Sequence, residues 1–269
     1  MSSGVVTQPG LVRDLRALGL RSGSVLLVHA SLSRIGTVAG GEQAVVLALE
    51  EVLGADGTLV APTQSWHLCD PAYLGDPGVP EDRWDDVRAA LPAYDPAWTP
   101  TRTMGAVADA VRTRAGALRS GHPHRSFAAV GPHAADVVAR HDLADPVGEG
   151  SPLAALYRLD AHVLLLGVGH DKNTSLHLAE ARSGLPLETV PNGAPLLVGG
   201  VRRWVTFDEP VVDDADFDAV GAAFAAAGLG ARQGLVGAAR AHLVPVRPLV
   251  DFAADWFRRT RGQRAQPVG

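Results

Sequence analysis

Cysteine is almost missing from this sequence. Cys69 stands alone, so no disulfide can close within the chain, and a zinc site built on cysteines lacks its second thiolate. Long apolar runs are missing too. The longest, such as Val163 to Val168, fall far short of the roughly 20 residues that a membrane-spanning helix needs. The opening MSSGVVTQPG has neither a basic nor an apolar stretch, so no secretory leader is read there. A soluble, cytoplasmic protein without membrane partners is the expectation. No Pro/Gly/Ser-rich linker, low-complexity tract or internal repeat divides the 269 residues, which favours one domain over residues 1–269. Of the 24 Lys and Arg only Lys172 is a lysine, and 29 Asp and Glu leave a net charge of −5. That balance argues against nucleic acid, whose phosphates call for a basic face, and is compatible with a cationic small molecule.

What is present alternates between two periodicities. Leu11 to Leu20 predicts a short helix and Val25 to His29 a buried strand. Glu42 to Leu53 predicts an amphipathic helix closed by Gly54, and Thr58 to Ala61 a second buried strand ended by Pro62. Strand, helix, strand implies a parallel pair with a right-handed crossover. Further helices are expected over Met104–Arg114, from Pro132, over Pro152–Leu159, Thr174–Ser183, Phe217–Ala227 and Leu249–Arg259. Strands are expected over Phe127–Val130, His162–Val168, Leu187–Val198, Val201–Phe207 and Ala239–Val246. The fold class is therefore α/β: a single layered domain with a central mixed, largely parallel sheet flanked by helices. A late hairpin is expected to add antiparallel strands to that sheet. Residues 63–103 break the rhythm. A connection this long is usually functional or disordered, and Trp66, Trp84 and Trp98 speak for order, because each needs somewhere to bury.

Ligands of open α/β sheets bind beyond the carboxyl ends of the strands. Two segments put small and polar residues there: HASLSRIG after the first strand and GHDKNTSLHLAE after the strand at Val163 to Val168. Each sits just before a helix, where free amides favour an anion. In the second, Asn173 or Thr174 can cap a helix, placing His177 in its first turn and Glu180 three residues on, along the same face. A helix N-terminus disfavours a cation, so a histidine there suits proton acceptance. The same pattern would also serve a histidine that only packs. SGHPHRSF, Ser120 to Phe127, offers His122, His124 and Ser126 to a polar ligand, or is merely a histidine-rich turn. A metal reading of His122 and His124 lacks further ligands. No GxSxG elbow or GxxxxGK[ST] loop occurs, and Lys172 stands where the third glycine of a dinucleotide fingerprint beginning at Gly167-Val-Gly169 would fall. The acidic runs around Glu81–Asp86 and Asp208–Asp216 read as solvated surface, save that Asp208 and Glu209 follow a strand end and could reach a site at the sheet edge.

LLVHASLSRIG (26–36), SGHPHRSFAAVG (120–131) and LLLGVGHDKNTSLHLAE (164–180), in this order and spacing, resemble the aminoglycoside 3-N-acetyltransferase family, with SPLAALYRL and VRPLVDFAADWF in support. The resemblance implies a single α/β domain that uses acetyl-CoA as co-substrate with no metal and no covalent intermediate. It implies a cationic aminoglycoside acceptor, acetylated at the 3-amine of 2-deoxystreptamine with resistance as the consequence. The family's proposed base falls on His177, and its acidic partner maps onto Glu209, with Asp208 adjacent. Ser31, Leu32 and Ser33 are expected on the CoA pyrophosphate through backbone amides, and His122 and Ser126 along the pantetheine channel. Amides near the Gly169–Asn173 turn or the Ser31 loop are expected to face the thioester oxyanion. A carboxylate behind His177, Glu209 or Glu180, is expected to orient its ring. Trp66, Asp171, Glu180 and Asp208 are expected on the acceptor side, with residues 63–103 forming part of its wall. Other readings are a biosynthetic N-acetyltransferase acting on a different amine, a metal-dependent amidohydrolase and a silent binder. The oligomeric state, monomer or homodimer, is left open.

Overall fold

The computed structural model describes residues 4–75 and 78–264. Met1 to Ser3 of the opening segment, Asp76 and Pro77 of the long connection, and residues 265–269 lie outside the described residues. The elements run α1 (Gln8–Leu18), β1 (Val25–Ala30), α2 (Leu32–Ile35), α3 (Gly41–Leu53), β2 (Thr58–Pro62), α4 (Trp84–Ala90), α5 (Ala106–Arg112), β3 (Leu118–Arg119), β4 (Phe127–Val130), α6 (Ala134–Val138), α7 (Pro152–Arg158), β5 (His162–Leu166), α8 (Ser175–Arg182), β6 (Thr189–Val198), β7 (Val201–Pro210), α9 (Phe217–Ala226), β8 (Arg232–Val236), β9 (Ala239–Pro245) and α10 (Val246–Arg264).

A seven-stranded sheet in the order β3-β4-β2-β1-β5-β9-β8 divides the molecule. Its heart, β2-β1-β5, is parallel, with α3 as the crossover between β1 and β2. The outer strands pair antiparallel, so that β3, β2, β1, β5 and β8 point one way and β4 and β9 the other. Both faces of the centre are covered, which is why VLLVH and HVLLL carry no polar alternation. Successive side chains still go to opposite layers. Leu27, Val163 and Leu165 join the core beneath α7, α8, α9 and α10, while Leu26, Val28, Leu164 and Leu166 join the one beneath α1, α3 and α5.

Helix starts follow local chemistry. The Thr7 hydroxyl accepts the Gly10 amide before α1, and the Ser151 hydroxyl accepts the Leu153 amide before α7, each with proline in the first turn. Gly54 ends α3 as expected, its amide returning to the Glu50 carbonyl.

Two expectations need correction, the place of the late hairpin and the burial of Trp98. The late hairpin, β6–β7, does not join the sheet but forms a separate two-stranded ribbon. Pro191 and Pro195 deprive β6 of two ladder donors, which suits an unshared strand. Residues 63–103, where order was expected, hold two short 3-10 turns and α4 and lie against the ribbon through the Tyr94 amide on the Pro195 carbonyl. Of the three tryptophans there, Trp98 is 83% exposed rather than buried.

Candidate active site

The carboxyl ends of β1 and β5 lie side by side, Ala30 opposite Leu166, and the chain leaves both toward the same space. The Ser31 amide donates to the Leu166 carbonyl at 2.9 Å and ties the two exits together. Gly167 has φ 71°, and a Cβ there would come within 2.9 Å of the Arg34 Cβ, so only glycine lets the β5 exit pass α2. Beyond these ends opens a cavity of about 740 Å³. It is bounded by the Ser31–Ser33 loop, the Asp171–Thr174 loop, the start of α5 and part of residues 63–103.

His177 lines this cavity from the first turn of α8. Asn173 sets that turn, its side-chain oxygen accepting both the amide and the hydroxyl of Ser175. The His177 Nδ1 meets Glu180 Oε2 at 2.5 Å, the three-residue spacing stacking the two on one face. Phe217 packs beside the imidazole with ring centroids 4.9 Å apart. With Nδ1 given to the carboxylate, Nε2 is the nitrogen left for a substrate. Glu180 itself is buried and does not line the cavity, so it stands behind the histidine and away from the acceptor side where it was expected.

The carboxylate against His177 is therefore Glu180 and not Glu209. Glu209 is fully buried and holds Arg125 at 3.4 Å and the Asn192 side-chain amide at 3.2 Å. Asp208 borders a different depression, between Asp70 and Phe207, because successive residues of β7 face opposite sides.

His122 and Ser126 lie behind the cavity, not along it. The His122 Nδ1 accepts the amides of His124 and Arg125, each at 3.1 Å, and burial, followed by the neighbouring His141 and His124, holds the ring well below the usual histidine range. Ser126 donates its hydroxyl to the Thr63 carbonyl and accepts from Arg119. Both are spent on fixing the turn before β4.

Ser31, Leu32 and Ser33 do line the cavity, as do Trp66 and Asp171. The Ser31 amide, however, is already committed to Leu166, and the Asp171, Lys172 and Asn173 amides to Asp218, Gly169 and His170. Leu32 and Ser33, in the first turn of α2, keep amides without an acceptor among the described residues.

Sequence reasoning passed over His29, which ends β1 and lines the cavity with its Nε2 3.3 Å from the Thr174 hydroxyl. Burial, then the nearby His177, pushes its pKa down to about 3, so it faces the cavity uncharged. Arg125, Tyr73, Lys172 and Asp214 also reach the lining. His29 lies inside the HASL segment, but no spacing rule marks it as facing a cavity. Among the described residues no group of three or more His, Cys, Asp and Glu is arranged to hold a metal ion, and no helix is long and apolar enough to cross a membrane.

The sequence model of the family described as aminoglycoside 3-N-acetyltransferase matches residues 27–258. The chain is 43% identical over 253 residues to the SPbeta prophage-derived aminoglycoside N(3')-acetyltransferase-like protein YokD of Bacillus subtilis, covering 93% of this chain and 92% of that one. The crystal structure of YokD superposes with a TM-score of 0.93 at 40% identity, covering 97% and 96% of the two chains. Aminoglycoside N(3)-acetyltransferase VII of Streptomyces paromomycinus is 39% identical, with 100% and 97% covered. A structure described as AAC-IIIb binary with CoASH superposes with a TM-score of 0.85 at 31% identity, over 95% and 97% of the chains.

Proposed function

The chain belongs to the aminoglycoside 3-N-acetyltransferase family, and we propose that it moves the acetyl group of acetyl-CoA onto the 3-amine of 2-deoxystreptamine aminoglycosides, with His177 receiving the amine's proton. The observation that carries this reading is the His177–Glu180 contact at 2.5 Å on the wall of a cavity of about 740 Å³.

An aminoglycoside amine is largely protonated near neutral pH and cannot attack until its proton leaves. His177 Nε2 takes that proton, and Glu180, holding Nδ1–H, orients the ring and stabilises the imidazolium that forms. The amine nitrogen then bonds to the thioester carbonyl carbon. As the tetrahedral intermediate collapses, the carbon–sulfur bond breaks, the departing CoA thiolate takes the nitrogen's second proton to give the neutral amide and the CoA thiol, and His177 releases its proton to solvent. General-base assistance of this kind is worth roughly 100- to 10,000-fold. The amides of Leu32 and Ser33 are the candidates for the oxyanion or for a CoA phosphate, since they are uncommitted at the cavity wall. Asp214 on the lining supplies negative charge for a polycation, while Asp171 is offset by Lys172 at 3.0 Å.

A second reading keeps the chemistry and changes the acceptor to a different amine, as in a biosynthetic N-acetyltransferase. Arg125 and Lys172 also line the cavity, but Glu209 lies 3.4 Å from the first and Asp171 3.0 Å from the second, so each is offset by a carboxylate. Incubation with acetyl-CoA and a panel of aminoglycosides and other amines, followed by mass spectrometry, separates the readings. Gain of one acetyl group by the aminoglycosides, placed on N3 by NMR, and raised resistance of cells expressing the protein are the expected results. Turnover confined to other amines would overturn the aminoglycoside assignment and leave the chemistry in place.

A further inference from the structure

Behind Glu180 the chain of contacts continues. Its Oε2 faces His177, while its Oε1 accepts from Arg261 Nη1 at 2.5 Å and from the Asp213 amide at 3.1 Å. Arg261 comes from the last turns of α10, distant in sequence, and is itself fixed on every side. Asp216 binds it in a fork, taking Nε at 2.9 Å and Nη2 at 2.5 Å. The Asp213 carbonyl accepts Nη2 at 2.8 Å, and the Phe257 ring lies 4.0 Å beneath the guanidinium. The side chains of Arg261 and Asp216 are only 17% and 12% exposed, so these contacts act in a partly desolvated setting.

Two consequences follow from this geometry. A buried glutamate with one free oxygen could rotate and share either oxygen with His177. Arg261 and the Asp213 amide occupy Oε1, so Oε2 is held for the imidazole alone. The charges also add up in a particular way. Glu180 and Arg261 by themselves would cancel, and Glu180 would have little attraction left for an imidazolium. Asp216 neutralises Arg261, which returns the glutamate's charge to the histidine. When His177 takes a proton, the set of His177, Glu180, Arg261 and Asp216 becomes neutral as a whole.

From this we infer that Arg261, held by Asp216, is a positioning residue for acyl transfer, acting through Glu180 to fix the ring of His177. It rests on the reading of His177 as the base. Asp216 sits in a run of acidic residues that otherwise reads as solvated surface, and Arg261 in a basic helix end. Neither lines the cavity, so neither touches a substrate.

The test compares Arg261→Met, Arg261→Lys and Asp216→Asn with the unaltered protein by steady-state kinetics, thermal melting and proton NMR of the substrate-free protein. Arg261→Met is expected to lower kcat at least about 10-fold, within the roughly 100- to 10,000-fold ceiling set by the base itself. KM for acetyl-CoA should stay unchanged. Arg261→Lys should recover part of the rate, because it restores the charge without the planar fork, and Asp216→Asn should lower kcat with the fold intact. In the NMR spectrum the His177 Nδ1 proton, strongly deshielded by its short bond to Glu180, should shift or broaden away in Arg261→Met. A wild-type kcat in that variant overturns the inference. So does a loss matched by a fall in Tm, with no rescue by lysine and an unmoved Nδ1 proton. Should the unaltered protein acetylate no amine, the reading of the base fails, while the NMR comparison still reports whether Arg261 governs the His177–Glu180 contact.

Discussion

Arg125 and Glu209 form the most deeply buried ion pair among the described residues, 3.4 Å apart with side chains 6% and 0% exposed. The guanidinium also lies 4.8 Å from the centre of the Trp66 ring and donates to the Tyr73 hydroxyl. One pair thereby joins the turn before β4, the β6–β7 ribbon and the long connection into a single cavity wall. Burial of Tyr73, with Glu209 beside it, raises its phenol to about 12, so that it stays protonated.

Breaking this pair from one side leaves the other charge without a partner away from water. Glu209→Leu should therefore cost about 3–5 kcal/mol of stability, measured by urea denaturation. A variant as stable as the parent would show that the pair does not hold the wall together. Glu209→Gln, if it folds, should leave kcat nearer to wild type than loss of Glu180 does, since Glu180 is the carboxylate on His177.

Acid should weaken the fold earlier than its carboxylates alone would require. Burial lowers His29 to about 3, and His124, His141 and His170 to about 4, and it also depresses His122. Unfolded, each would titrate near 6.5. Between those values the unfolded chain binds more protons, so stability is full above about pH 6.5 and is lost as pH falls toward 4 and 3. Each ring contributes up to about 1.4 kcal/mol per pH unit. Denaturation midpoints at pH 7.5 and pH 5 test this: a marked drop is expected, and equal values would contradict it.

Gly167→Ala should destabilise by about 1–3 kcal/mol, because φ 71° and the Arg34 Cβ both refuse a side chain. Thermal melting checks the loss. An unchanged Tm would mean that the β5 exit can pass α2 by another path.

Much of the sheet's centre was legible because β1, β2 and β5 are unbroken apolar runs. β8 was not, since four of its five residues are exposed and carry no alternating pattern, and β3 is only two residues long. The ribbon's strands were legible, but their failure to join the sheet was not, for pairing partners lie far away in sequence. At the site, His177 and Glu180 could be placed together because a helix dictates their spacing. Arg261 and Asp216 could not, since only the packing of α10 against α8 and α9 brings them there. His122 misled for the opposite reason: a histidine-rich turn looks the same whether its rings face a ligand or cap backbone amides.

The proposed acyl transfer depends on an imidazole nitrogen that accepts the amine's proton. Its most direct test is kcat of His177→Ala near neutral pH, with CoA affinity measured on the same sample. A fall of roughly 100- to 10,000-fold with CoA binding intact is the predicted result. A variant that keeps kcat within a few-fold of the parent would contradict it.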